Sequence, residues 1–306
     1  MVLRPGSTRS LPRTIALRKI LLGKLQWFLR EHAHSTCGTP ELRAFFAYLV
    51  RPPEEGQGRW GNKRLTKPMR PSTAATYYSH LRAFFHWLVA EEVLALSPLE
   101  KIKPPISRPD QIQPFSEEEI ESLLGAAKLS RHPARDRAIL LLGMDAGLRA
   151  TEMASLKRRD VDFDEKCCTV VGEGNKRRKV YFGIRVRKVL IQYVNAERHE
   201  PDDPLFFADR GTRAGEPLTR SGLLQLMWRL GESAGIRSKR CSPHTLRHTF
   251  AVEFLKAGGN VFTLKELLGH TDLTMTNRYV SFAQADIQNQ HRLFSPADRI
   301  GRRRDE

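Results

Sequence analysis

Cysteine is scarce in this chain: four in 306 residues, Cys37, Cys167, Cys168 and Cys241. So few, with two of them adjacent, cannot form a disulfide framework, and Cys167 and Cys168 read more simply as buried strand residues. Long apolar runs are missing as well. No stretch approaches the ~20 residues that a membrane helix needs, and the N-terminus lacks a clean apolar core followed by a small-residue cleavage site. A cytoplasmic protein with no membrane partner is expected. Acidic residues are also in short supply, 34 Asp and Glu against 51 Lys and Arg, a formal net charge of +17. Such a surface draws polyanions, and because the arginines also cluster locally, nucleic acid is the leading partner. Cys241, His244 and His248 make half of a zinc pattern, but the second ligand pair is absent and no metal site is expected.

A length of 306 residues leaves room for two domains, and a hydrophobic fraction of 40% fits a globular protein. The stretch from Ile15 to about Leu99 reads as helical, with Leu21, Leu22, Leu25, Phe28 and Leu29 at three- and four-residue spacing. A second helix is expected from a Thr39 cap with Pro40 in its first turn, running through Phe45, Phe46 and Leu49. Between Arg51 and Pro71 the pattern breaks into a loop carrying Arg59, Lys63, Arg64, Lys67 and Arg70 around Trp60, which could follow a phosphate backbone. A long helix after Ser72 closes the domain near Ser97-Pro98.

Residues 1–100 are therefore expected to form a helical DNA-binding domain, and residues 101–114, with four prolines, a linker. Residues 115–298 follow as a second domain opened by the capping box at Ser116 to Glu119, and residues 299–306 as a basic tail. Within the second domain a helix through Ala138 to Leu142 stops at Gly147. Strands are read at Cys168 to Val171 and Lys179 to Phe182 around a turn at Gly172 to Asn175, and the rest is helical.

The residues suited to chemistry lie in this second domain. A phosphodiester transition state spreads negative charge over its non-bridging oxygens, which planar guanidinium forks clamp well. Arg149, at a Gly-Leu-Arg helix boundary, and Arg247, in a helix capped by Ser242-Pro243, fit that task. His244 and Arg247 stand at i and i+3 on one helical face. Glu152 is spaced to hold Arg149 in place. Gly269 suits a left-handed helix cap that sends His270 off at a defined angle, and Tyr279 follows on a new helix starting near Thr271-Asp272.

Taken in order, GLRATE, a basic hairpin, PHTLRHTFAVEFLKAGGN and LKELLGHTDLTMTNRYV resemble the tyrosine recombinase (phage integrase) family in spacing and flanking residues, over the whole second domain. The two-domain layout is similar to the simpler, Xer-like members. The resemblance implies a mainly α fold with a small antiparallel β-sheet: an α-helical, SAM-like core-binding domain joined to a mixed α/β catalytic domain. It implies an active site of Arg149, His244, Arg247, His270 and the nucleophile Tyr279, supported by Glu152. One position departs from the pattern. The family's hairpin lysine, which protonates the leaving 5′ oxygen, is replaced by Glu173, and an arginine-rich site would push a glutamate's pKa the wrong way for an acid. Lys176 is the expected substitute, with Lys179 a weaker one.

The implied reaction is attack of Tyr279 on a phosphate of double-stranded DNA, giving a 3′-phosphotyrosyl link and a free 5′ hydroxyl. His244 would act as base or orienting group, and His270 would bond the phosphate or the tyrosine. Because the covalent bond keeps the energy of the broken one, no ATP, metal or other cofactor is expected. The resemblance further implies a tetramer on two DNA sites that exchanges strands through a Holliday junction. Its protomers would be joined by the C-terminal segment from about Ala285 to Phe294, with Leu293 and Phe294 as anchors. The alternatives are a type IB topoisomerase-like nicking-closing enzyme and a DNA-binding relative that has lost cleavage.

Overall fold

The computed structural model describes residues 12–54, 56, 58–106, 111–172, 176–197, 199–208, 215–270, 272–280, 291, 295 and 297. The chain divides between Asp110 and Gln111 into two compact units. The first is built on α1 (Pro12–Glu31), α2 (Thr39–Val50) and α3 (Pro71–Ala90). Apolar residues one helical turn apart bring Leu21, Leu25 and Phe28 of α1 against Leu42, Phe45 and Leu49 of α2 and Tyr77, Leu81 and Phe85 of α3. Thr39 does not cap α2 as expected. Gly38 holds the cap position, with its amide donating to the Glu41 carboxylate at 2.8 Å. The Thr39 hydroxyl instead donates to the Pro98 carbonyl at 2.8 Å, tying the start of α2 to the end of the unit.

The loop between α2 and α3 corrects one expectation. Arg59 is only 3% exposed, and its guanidinium donates to the carbonyls of Tyr48, Arg51 and Lys67. The Tyr48 carbonyl in the last turn of α2 and the loop carbonyls of Arg51 and Lys67 need donors, and Arg59 supplies them; it is a staple and not a phosphate ligand. Lys63, Arg64, Lys67 and Arg70 are exposed.

The second unit contains, among the described residues, α4 (Glu117–Lys128), α5 (Pro133–Ala146), α6 (Ala150–Ser155), α7 (Ile184–Glu197), α8 (Arg220–Ser233), α9 (Pro243–Lys256), α10 (Val261–Leu268) and α11 (Leu273–Val280). The Ser116 capping box forms as read: the Glu119 amide donates to the Ser116 hydroxyl, and the Ser116 amide to the Glu119 carboxylate. Helix α5 is buried through Ala138 to Leu142 because α4, α7 and α9 all pack against it, so it shows no polar face there.

The strands β1 (Val161–Asp162), β2 (Cys167–Val171) and β3 (Arg177–Tyr181) form an antiparallel sheet in the order β1-β2-β3, with Cys168 opposite Val180 and Thr169 opposite Lys179. Cys168, Val170 and Val180 turn inward into the core. Cys167 and Cys168 are buried free thiols, and burial, with Cys167 and Asp160 beside it, pushes the Cys168 thiol up to about 12. A second, smaller core joins Ala251, Val252 and Leu255 of α9, Leu264 and Leu268 of α10, and Tyr279 of α11, and it also buries Ile112. The Tyr78 hydroxyl bonds the Ile102 carbonyl in the first unit, so both ends of the proline-rich 101–114 segment are packed.

Glu173, Leu293, Phe294 and the tail 299–306 lie outside the described residues. Among the described residues no helix is long and apolar enough to cross a membrane.

Candidate active site

A helix C-terminus leaves carbonyls without intrahelical donors, and its dipole favours cations nearby. Helix α10 ends at Leu268, and Gly269 takes the left-handed conformation that its sequence context suggested, with φ +63°. Three successive carbonyls at this end are met by three different arginines. Arg178 Nε donates to Leu267 O at 3.1 Å, Arg247 to Leu268 O at 2.7 Å, and Arg149 to Gly269 O at 2.7 Å. A Cβ on residue 269 would press against the Arg178 guanidinium at about 3.0 Å, so glycine also makes room for this arrangement.

Three like charges so close need an anion among them, and Glu152 is that anion. Its side chain is 2% exposed, and it accepts from Arg149 Nη1 at 2.9 Å and from both Arg178 Nη atoms at 2.7 and 3.0 Å. Its second oxygen also takes the Arg149 amide at 2.8 Å, because Arg149 is the cap residue of α6 and Glu152 its third helical residue. Burial alone would raise the Glu152 carboxyl. Hydrogen bonds from Arg178 and the Arg149 amide, with the Arg178 charge, outweigh it and hold the carboxyl below the ordinary carboxylate range.

Arg149 reaches this point because α5 stops at Gly147, whose φ of +59° turns the chain and where a Cβ would overlap the Phe250 ring. The Gly147 carbonyl accepts from Arg247 Nη1 at 2.7 Å. Arg247 is 4% exposed, and burial, then the nearby Arg149 charge, lowers its pKa to about 10, which leaves it charged at neutral pH. The Arg149 side chain is 25% exposed, so it is the more accessible of the two.

His270 lies beside Arg247, its Nε2 3.0 Å from Arg247 Nη2 and its Nδ1 2.9 Å from Thr276 Oγ1. A guanidinium can only donate, so Nε2 accepts and Nδ1 carries the proton. Burial, then the charges of Arg247, Arg149 and Arg178, hold the His270 pKa near about 4, and the ring is neutral. It stacks on Tyr279 with ring planes 9° apart and centroids 6.5 Å apart. Tyr279 is 4% exposed, and burial raises its pKa despite the opposing pull of Arg247 and Arg278.

The structure thus brings Arg149, Glu152, Arg247, His270 and Tyr279 together around the end of α10. His244 is not brought to Tyr279. It is exposed in the first turn of α9, and the histidine that meets the Tyr279 hydroxyl is His248, whose Nδ1 lies 2.8 Å away. Lys176 is exposed just before β3, and the Gly172 amide bonds its carbonyl at 2.8 Å, closing the hairpin neck.

Reasoning from the sequence missed two residues of the cluster. Arg178 shares a strand face with the inward-pointing Val180, an alternation legible in β3. His248 sits four residues after His244 and so lies on the same helical face. Either spacing could have pointed to its residue.

The chain matches the phage integrase family over residues 113–285, and it is 34% identical over 239 residues to the tyrosine recombinase XerD of Pseudomonas putida, spanning 76% of this chain and 78% of that one. The chain belongs to the phage integrase family. As such it is a tyrosine recombinase, an enzyme that breaks and rejoins DNA, and this does not favour the topoisomerase alternative. The tyrosine recombinase XerC of Bacillus subtilis is 30% identical to it over 239 residues, 75% of this chain and 77% of that one.

Among solved structures, the recombinase is similar to the Tn1549 transposon integrase in complex with transposon right end DNA, with a TM-score of 0.69 and 18% identity over 92% of this chain and 95% of that one. It is also similar to the XerH site-specific recombinase bound to a palindromic difH substrate, with a TM-score of 0.66 and 19% identity over 94% and 79% of the two chains. At these identities the likeness shows a shared fold.

Proposed function

We propose that this recombinase cuts double-stranded DNA through Tyr279, whose oxygen attacks a phosphate to form a 3′-phosphotyrosyl bond while the 5′ oxygen leaves. Arg149 and Arg247 stabilise the charge on the non-bridging oxygens. Glu152 and the α10 carbonyls hold the two guanidinia in a preorganised arrangement, and His270 packs between Arg247 and the phenol. The observation that carries this reading is the convergence, on one helix end, of two arginines far apart in sequence and a buried phenol. Four protomers on two sites would exchange strands through a Holliday junction in the cytoplasm. The segment from about Ala285 to Phe294 would join neighbouring protomers, and the exposed Lys63, Arg64, Lys67 and Arg70 would follow the DNA backbone.

The experiment is a nicked suicide duplex carrying a site selected from random DNA by the protein itself. An SDS-stable adduct is expected with the wild type and none with Tyr279→Phe. An adduct that survives Tyr279→Phe contradicts the reading.

For the leaving-group acid, strand alternation favours Lys176 over Lys179. Arg178 faces Glu152, Lys176 shares its parity, and Lys179 pairs with Thr169 on the other face. Lys176→Ala is expected to slow adduct formation by about 10²-fold or more. A duplex with sulfur in place of the bridging 5′ oxygen should restore the rate, because a thiolate leaves without a proton. An unchanged rate on the ordinary duplex would move the role to Lys179 or Glu173.

A further inference from the structure

Burying a phenol leaves its proton in need of an acceptor, because an unmet buried donor is destabilising. The acceptor in this recombinase is not the histidine that the family pattern suggests. Among the described residues the Tyr279 hydroxyl has one hydrogen-bond partner, Nδ1 of His248 at 2.8 Å, with the two ring centroids 5.6 Å apart. If Nδ1 carried a hydrogen, the phenol proton would have no acceptor there; Nδ1 therefore accepts and Nε2 holds the ring hydrogen. His244 precedes His248 by one helical turn, with its ring centroid 6.5 Å from that of His248.

We propose that His248 is the general base for Tyr279. This rests on Tyr279 being the nucleophile, and it assigns the proton a path. As Oη forms its bond to phosphorus, its hydrogen passes to His248 Nδ1, making an imidazolium, and the bond from phosphorus to the 5′ oxygen breaks. The leaving oxygen takes its proton from a separate acid. In religation the 5′ hydroxyl gives its proton back to that acid as its oxygen attacks phosphorus, the bond from Tyr279 to phosphorus breaks, and His248 returns the proton to Oη, so no other reactant is consumed.

The groups around His248 suit this role. His244 and Arg247 face it from α9, Arg278 and Tyr279 from α11, and His270 from the loop after α10. Burial, then His244, Arg278 and Arg247, bring its pKa down to about 4, which keeps it neutral and able to accept at physiological pH. A DNA phosphate bound to Arg149 and Arg247 adds negative charge to this cationic surrounding, which raises the ring's affinity for the arriving proton.

The test uses the full chain, the selected suicide duplex and its 5′-thio counterpart. His248→Ala is the direct variant. His248→Gln guards against a folding defect, since its amide oxygen can accept from Tyr279 but cannot take up the proton. Both variants are expected to form the adduct about 10²-fold or more slowly than the wild type on both duplexes, with DNA binding unchanged. The thio substrate rescues loss of the acid but not loss of the base. Wild-type rates in folded His248→Gln, or rescue of it by the thio duplex, would overturn the assignment. If the wild type forms no adduct, or Tyr279→Phe forms one, it is the proposed nucleophile that fails instead.

Discussion

Arg247→Ala is expected to lose about 10³-fold or more in adduct formation, the range seen when a guanidinium that stabilises a transferring phosphoryl group is removed. The size of the effect follows from how the residue is held. Arg247 is buried, and its fork spans Gly147 O on one side and Leu268 O on the other, with His270 Nε2 as a third acceptor. Truncation removes the charge and also strips the donor from two carbonyls and a ring nitrogen. Stability is expected to fall by about 1–3 kcal/mol for each buried acceptor left unpaired. Arg247→Lys keeps the charge, but an ammonium on a flexible stem cannot bridge both carbonyls, so it should restore little of the rate. Single-turnover adduct formation measured beside a thermal melt separates the two losses. Unchanged cleavage in Arg247→Ala would remove this residue from the phosphate site.

The second large effect is expected at Glu152. Breaking a buried charge pair by removing one partner typically costs about 3–5 kcal/mol. Here one carboxylate serves both Arg149 and Arg178, so Glu152→Gln leaves two guanidinia facing a neutral amide at the end of α10. The variant is expected to melt lower and to cleave more slowly, because Arg149 loses the group that orients it.

The pH dependence carries a sign that can be checked. Glu152 is held below its unfolded value of about 4.3, so its contribution is complete above that value and disappears as pH falls through the folded one. His248 and His270 act over a higher window. Both are held near about 4 when folded, against about 6.5 unfolded, so the unfolded chain binds their protons first and stability declines as pH falls from about 6.5 to about 4. Melting temperature against pH should therefore fall in two stages. His248→Gln should flatten the upper stage and Glu152→Gln the lower. A single fall below pH 4 in the wild type would contradict the neutral, buried state of the two rings.

Much of this site was legible in the sequence, and the physical reasons are specific. Gly147 and Gly269 marked two helix ends, and those turns aim Arg149 and His270. The i, i+3 spacing of Arg149 and Glu152 gave their contact directly, since Glu152 is the third residue of the helix that Arg149 caps. The period-two pattern around Cys168 and Val180 gave the hairpin. What stayed hidden depends on contacts between distant elements. That Arg59 staples a loop follows from where the carbonyls of Tyr48, Arg51 and Lys67 end up, and spacing does not state it. The choice of His248 over His244 as the partner of Tyr279 is set by how α11 lies against α9. The role of Arg178 requires β3 to approach both Glu152 and the end of α10.

The central claim is that Tyr279 becomes covalently joined to DNA, and the most direct measurement is the identity of the joined atoms. The adduct trapped on the suicide duplex is digested with protease and nuclease, and the remaining nucleotide-bearing peptide is sequenced by mass spectrometry. A nucleotide attached through its 3′ phosphate to Tyr279, with a 5′ hydroxyl on the released strand, is the expected result. A nucleotide on any other residue, or attached through a 5′ phosphate, would contradict it.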